Sequence, residues 1–334
     1  MSAAIASMQE FRTVVAAAAR APSAHNTQPA RWRLAGDRVE LHEDPARWLS
    51  AGDPTGRDHA LSLGAAWEGL ALALAETGLT LDDPTLEAPG RTAGLRLAAH
   101  GTLGRGANPD PLAARVRSRR SYRGKFHAPT AVERAALGGI VAARGDVVVV
   151  QSDDALRELA SLYDGAALAC LREPAFAREL YRWMRFSARD AAWHRDGLTT
   201  ECLGLGALEA WGARVALRPG ALAVARALRL DGLLVSEAAK VRSATAVALC
   251  HHAVGAPAFH AGRAFYRFWL ELERGGFAAV PMSALIDSPP HREALGRRHP
   301  VPAGREVVAV LRIGPKPAEP APESARLPVE ELLV

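Results

Sequence analysis

Apolar positions recur along this chain at two spacings, and the spacing separates helix from strand. Phe11, Val14, Val15 and Ala18 repeat at helical intervals behind Ser7-Met8-Gln9-Glu10. Those four residues form a capping box with Ser7 as N-cap and Glu10 at N3, so a helix is predicted over residues 8–20. Residues 31–34 and 38–42 flank Ala35-Gly36-Asp37 and read as a hairpin. After the turn Asp53-Pro54-Thr55-Gly56, residues 61–77 are apolar almost all round and predict a buried helix, placed at an interface between two units. A second capping box, Thr130-Ala131-Val132-Glu133, opens another helix, and residues 147–151 follow it as a strand. Residues 244–250 form an apolar, partly β-branched strand. Ala258–Arg274 then reads as a helix with Phe259, Tyr266, Trp269 and Leu270 on its apolar side. The last strand, residues 306–313, is too apolar for an open edge.

The elements repeat. Glu133 follows Glu10 by 123 positions, a register that sets Arg144-Gly145 against Ala21-Pro22. Gly64-Ala65-Ala66-Trp67 and Glu76-Thr77-Gly78-Leu79 match Gly262-Arg263-Ala264-Phe265 and Arg274-Gly275-Gly276-Phe277 with a spacing of 198. The difference leaves an insertion of roughly 75 residues in the second unit, between about Ser152 and Lys240, too long for a plain loop. Its middle, residues 186–219, mixes Trp193, His194, Trp211 and glycines without clear period, and is either a lid beside a site or a peripheral decoration. Residues 101–111 are rich in Gly, Pro and small polar side chains and read as the linker. Two units are therefore expected, residues 1–105 and 112–334.

Composition narrows the class. The chain has 334 residues, of which 49% are apolar and 23% charged, which suits a globular protein of two units. A net charge of +5 is spread among interspersed acids, with no block of like charge, so no nucleic-acid partner is expected. Cys170, Cys202 and Cys250 form no C-x-x-C and read as thiols in a reducing compartment. The eleven histidines include no H-E-x-x-H, so no metal site is expected. No signal peptide opens the chain and no run reaches membrane length, which makes a cytoplasmic protein with no membrane partner the expectation. Gly101-Thr102-Leu103-Gly104-Arg105-Gly106 is not a dinucleotide-binding fingerprint.

Two polar stretches carry candidate chemistry. Arg119-Arg120-Ser121-Tyr122-Arg123-Gly124-Lys125-Phe126 places Arg119, Ser121 and Arg123 two apart. In an extended segment these three point the same way, and two guanidinium forks with a hydroxyl suit a phosphate monoester. The same run also fits a solvated basic loop. Ala21-Pro22-Ser23-Ala24-His25-Asn26-Thr27-Gln28-Pro29 lies between two prolines that end a helix and forbid its resumption. Its short polar side chains and free backbone groups could meet a ligand.

Together, A-P-S-x-x-N-x-Q-P and R-x-S-x-R resemble the FMN-dependent nitroreductase family, and their separation resembles its twin-unit Acg branch. The resemblance implies an α+β nitroreductase-like fold in which two fused units, each an antiparallel-rich sheet wrapped by helices, form an intramolecular pseudo-dimer. Each unit lacks the motif the other keeps, so one FMN site per chain and a monomer are implied. Arg119, Arg120, Ser121 and Arg123 would serve the phosphate and pyrimidine side; Pro22, Ser23, Ala24, Asn26 and Gln28 would close the site from the first unit. Pro281, Met282 and Ser283 resemble the loop whose backbone N–H groups approach flavin N5. Arg326, in Ser324-Ala325-Arg326-Leu327-Pro328, would join the phosphate, and Lys240 would sit near the pyrimidine carbonyl. The reaction implied is hydride transfer from NAD(P)H through flavin N5 to a nitroaromatic, quinone or similar acceptor, with no catalytic side chain. The alternative is a protein that stores or sequesters FMN with little turnover.

Overall fold

The computed structural model describes residues 7–88, 94–106 and 108–334. Helix α1 (Met8–Ala18) starts where the capping box requires, with Ser7 Oγ accepting the Glu10 N–H at 3.2 Å. The hairpin follows as β1 (Ala30–Ala35) and β2 (Arg38–Glu43), in antiparallel register. Next come α2 (Arg57–Ala75), β3 (Leu79–Leu81), β4 (Thr85–Leu86) and β5 (Arg96–Arg105). The main path of this first sheet runs β1-β2-β5-β3, every pair antiparallel.

The short helix α3 (Ala113–Val116) leads into the second half, which opens with α4 (Ala131–Ala142) and its complete capping box. Strand β6 (Val147–Val150) precedes the inserted region, which holds α5 (Asp153–Arg172), α6 (Pro174–Trp183), β7 (Met184–Arg185), β8 (Leu198–Thr199), α7 (Ala207–Ala216), α8 (Pro219–Ala227) and α9 (Ala238–Arg242). The chain resumes the repeat with β9 (Ala246–Ala253), α10 (Ala258–Arg274), β10 (Phe277–Pro281), α11 (Ala284–Asp287), α12 (Pro289–Arg298) and β11 (Arg305–Pro315). The second sheet runs β6-β9-β11-β10, again antiparallel throughout. Strand for strand, in chain order and in sheet order, this is the arrangement of the first sheet. The expected α+β class, with antiparallel sheets wrapped by helices, is what the structure shows.

The halves join through α2 and α10. A Cβ on Gly64 would strike the Phe259 carbonyl oxygen, and one on Gly262 would strike the Leu61 carbonyl oxygen. The two glycines hold matching places in the repeat, so each helix presents the same bare spot to the other's backbone. Apolar side chains close around the crossing: Trp67, Leu70, Phe259, Tyr266 and Leu270 share one buried core. That buries α2 between the halves, as its all-round apolar pattern predicts.

Three boundaries differ from the sequence reading. Helix α2 starts at Arg57, not residue 61, because polar residues at its first turn face the junction of the halves. Much of the expected linker over 101–111 is strand β5, while Ala107 lies outside the described residues. Gly101 there faces Trp67, with room for a Cβ only at 3.1 Å from the ring, and Gly104 abuts the Thr80 hydroxyl. The glycines mark close approaches within a sheet and not chain flexibility. Within 186–219, where no period was evident, Ala207–Ala216 is helical, its start satisfied by Glu209 Oε2 accepting the Gly206 N–H at 2.8 Å.

The C-terminal tail crosses back to the first half. Trp32 N–H donates to the Leu332 carbonyl at 2.7 Å, Val334 N–H donates to the Trp32 carbonyl at 3.0 Å, and Leu327 and Leu332 enter the first half's core. Among the described residues no helix is long and apolar enough to cross a membrane, and no group of His, Cys, Asp or Glu could hold a metal ion.

Candidate functional site

A cavity of about 300 Å³ lies where the two halves meet. Such a volume is at the small end of the ~300–1,000 Å³ usual for ligand sites. Its walls come from the loop after α1, the start of α2, the R-x-S-x-R segment, the end of β10 with α11, residues 197–203 and the tail.

The loop after α1 is held in an unusual shape. His25, Asn26 and Gln28 have φ of 46°, 56° and 53°, left-handed values that non-glycine residues adopt at a cost. Hydrogen bonds over-determine it. Ser23 Oγ accepts the Gln28 N–H at 3.0 Å, Asn26 Nδ2 donates to the carbonyls of Ala325 at 3.0 Å and Gly197 at 3.3 Å, and Gln28 Nε2 donates to the Arg195 carbonyl at 2.8 Å. Gln28 Oε1 in turn accepts the Leu327 N–H at 2.9 Å. Pro22, Ser23, Ala24 and Asn26 therefore line the cavity, and Gln28 does not: its side chain is spent tying the loop to the tail and the inserted region. His25 also lines the wall, edge-on to Phe176 at 6.3 Å, with its Nδ1 buried and unpartnered. Burial and the Arg123 guanidinium push this imidazole down to about 4, so it is neutral at physiological pH.

The basic segment is extended. Tyr122 N–H donates to the Ala279 carbonyl at 3.1 Å, and Ser121 forms a β-bridge to Ala279, laying the segment against β10. Alternation follows from that pairing. Arg119, Ser121 and Arg123 line the cavity, while Arg120 points away and ion-pairs with Glu323 at 3.2 Å.

Arg119 is 5% exposed, its guanidinium 4.3 Å above the Trp269 ring. Its Nη2 donates to the Arg20 carbonyl at 3.0 Å, while Nε and Nη1 are buried with no partner. Arg326 donates from Nη1 to Asn26 Oδ1 at 2.8 Å and from Nη2 to the Arg20 carbonyl at 3.2 Å, leaving Nε unpartnered. Burial, then the neighbouring Arg119 and Arg20, push the Arg326 guanidinium down to about 9. Buried cations are normally paired. Arg119 and the half-buried Arg326, with unsatisfied donors on one cavity wall, fit an anion that supplies the missing acceptors.

At the far corner Arg123 donates to the Cys202 carbonyl at 3.0 Å. Pro281 and Ser283 line the cavity, but Met282, between them, turns into the second half's core at 1% exposure and spends its N–H on the Val310 carbonyl at 2.8 Å. Lys240 lies outside the cavity. Its ammonium pairs with Glu237 one helical turn away at 2.7 Å, and the cation behind this corner is instead Arg312, buried and donating to the carbonyls of Lys240 at 2.8 Å and Gly124 at 2.9 Å. Gln28, Arg120, Met282 and Lys240, named from the sequence, thus do not line this cavity, and strand alternation is what turns Arg120 away.

Sequence reasoning missed a group on the same wall. Arg57 donates to Asp58 Oδ1 from Nε at 2.9 Å and Nη2 at 2.7 Å, and from Nη2 to Asp287 Oδ1 at 2.6 Å, joining the start of α2 to the end of α11. Burial and the Asp58 charge push the Asp287 carboxyl up to about 8. Tyr163, Phe176 and Cys202 are among the other lining residues that sequence reasoning missed. None has a local motif; only the turn at Asp53-Pro54 hinted at a structured approach to Arg57.

Two proteins of Mycobacterium tuberculosis, from strains CDC 1551 / Oshkosh and ATCC 25618 / H37Rv, are each 32% identical to this chain over 176 residues, which is 52% of the chain and 51% of the relative. Both carry the provisional name NAD(P)H nitroreductase, and the match spans about half their length. Among solved structures, a nitroreductase-like family protein from Bacillus cereus aligns at 16% identity over 66% of this chain and 94% of its own, with a TM-score of 0.33. The FMN-dependent nitroreductase NfnB from Mycobacterium smegmatis, solved in complex with NADPH, aligns at 19% identity over 63% and 90%, with a TM-score of 0.32. No family model matches the chain.

Proposed function

We propose that this chain is an FMN-binding oxidoreductase of nitroreductase type, carrying hydride from NAD(P)H to a nitroaromatic, quinone or similar acceptor. The observation that carries the reading is that Arg119, buried, and Arg326, half-buried, line the cavity with Ser121 and keep N–H groups that no protein acceptor meets. A phosphate monoester dianion supplies the acceptors and the charge that this wall lacks, each charge-assisted bond contributing about 1.5–3 kcal/mol. The likeness to proteins named NAD(P)H nitroreductases supports the reaction class. The flavin, when bound, supplies two-electron hydride chemistry. The chain's own residues hold the phosphate with Arg119, Ser121 and Arg326, bring Arg123 to the other end, and close the site with Pro22, Ser23 and Asn26.

In this reading residues 1–105 and 112–334 act as the two units of an Acg-like twin, one FMN is held per chain, and the chain works as a monomer in the cytoplasm. One observation favours a second reading, in which FMN is sequestered. Gly197, Leu198, Cys202 and Leu203 wall the cavity, and this stretch is bound to Asn26 and Arg123, so it shields the interior like a lid. Anaerobic addition of NADPH to FMN-loaded protein separates the two. Bleaching of flavin absorbance is expected for the enzyme; loaded protein that keeps its colour is a flavin store, and protein that takes up no FMN overturns both.

A further inference from the structure

We propose that Asp287 delivers the proton that completes reduction of the acceptor in this cavity; a quinone, which takes up one proton for each hydride, serves as the probe. The proposal rests on the flavin reading above. Its geometry does not depend on the flavin. Asp287 ends α11 on the cavity wall, and Arg57 and Asp58 reach it from α2 in the other half. Arg57 gives Asp58 two bonds and Asp287 one. One guanidinium thus faces two carboxylates, with side-chain exposures of only 14% for Asp58 and 12% for Asp287.

Every charged or titratable neighbour pushes the same way except Arg57. Asp53 lies behind, buried, its Oδ2 accepting the His59 N–H at 2.8 Å and its own carboxyl shifted upward by burial and Asp58. Cys170, from α5, is pushed up to about 11 by burial and Asp287, so it remains a neutral thiol. A buried excess of carboxylate charge is relieved by binding a proton. Asp287 holds it at neutral pH, and once the proton leaves, Arg57 is already bonded to the carboxylate that remains. A group that donates and is then stabilised as its anion has the properties of a general acid. A second feature of the same cavity points to a ligand: Arg119, 5% exposed on its wall, keeps two donors that no protein acceptor satisfies.

The step balances. A quinone that receives hydride gains two electrons and one proton and becomes a hydroquinone monoanion. The Asp287 O–H bond breaks, its proton joins the anionic oxygen, and hydroquinone leaves. Water then returns a proton to the carboxylate.

The test compares a quinone with ferricyanide, which accepts electrons and no proton, using FMN-loaded protein. Asp287→Asn is expected to lower the ratio of 1,4-benzoquinone to ferricyanide reduction rates about a hundredfold, the usual reach of a positioned acid. The wild-type quinone rate should fall as pH rises through about 8. Equal loss with both acceptors would reduce Asp287 to a structural residue and overturn the proposal. An infrared carboxyl band of the flavin-free protein, titrating near pH 8 and missing in Asp287→Asn, is expected independently of activity. A band titrating below pH 5 overturns the proposal even if FMN binds; failure to bind FMN, with the band in place, overturns the flavin reading instead. Should Asp287→Asn not fold, Asp58→Asn decides. Removing the like charge must move the band and the pH profile downward, and an unmoved midpoint counts against the pair.

Discussion

The two halves of this molecule share a sheet order and a helix crossing, yet they divide the labour of the site unequally. At the crossing they are equivalent: Gly64 and Gly262 each admit the other helix's backbone. At the site they are not. The turn after α1 carries the strained Pro22–Gln28 loop, while the matching turn after α4 carries Arg144, bonded to Asp146 at 2.6 Å and Glu271 at 3.1 Å. Between β1 and β2 the first half has a two-residue turn; between β6 and β9 the second half has residues 151–245. The two halves therefore agree in what packs them together and differ in their loops. The cavity takes its loop and Arg57 from the first half and Arg119, Arg123 and Arg326 from the second.

The crossing offers the largest effect. Gly64→Val and Gly262→Val should each cost about 3 kcal/mol, the upper part of the usual overpacking range, because the obstructing atoms are backbone. Urea unfolding that gives clearly unequal losses would break the equivalence. At the site, Arg119→Ala should lower FMN affinity by about 1.5–3 kcal/mol, since a charge-assisted bond is lost, and leave riboflavin nearly unaffected. Calorimetric titration showing equal losses, or two FMN bound per wild-type chain, would undo the unequal division. Arg144→Ala, at the matching turn, is expected to leave FMN affinity as it was. Within the insertion, replacing Ala207–Ala216 with a Gly/Ser stretch should spare FMN binding, because the lining ends at Leu203. Loss of FMN there would move that helix into the site.

A pH-dependent effect sharpens the junction itself. The Asp287 carboxyl is raised in the folded chain to about 8 against 3.8 for the ordinary group, so the folded state holds a proton that the unfolded chain releases. Its contribution to stability is present below pH 3.8 and is lost as pH rises to about 8. Asp287→Asn removes that loss. Its Tm relative to wild type should therefore increase between pH 5 and pH 9; a difference constant across that range would show that the junction does not hold the proton.

The sequence by itself determined the pieces whose causes are local. Capping boxes placed α1 and α4 because a side chain three residues away satisfies the first free N–H groups. Amphipathic spacing gave the bounds of α10, turn chemistry gave the β1–β2 hairpin, and strand alternation put Arg119, Ser121 and Arg123 on one side and Arg120 on the other. Only the tertiary structure decided the rest. Glycines at 101 and 104 read as linker until Trp67 and Thr80 are placed against them. Lys240 stays outside the cavity with its ammonium held by Glu237, while Arg312 is the cation buried behind that corner. Arg57 meets Asp287 across 230 positions of chain only because two helices cross at bare glycines. Periodicity and capping act within a few residues, whereas burial, and with it the upward shift of the Asp287 carboxyl, is a property of what the fold brings near.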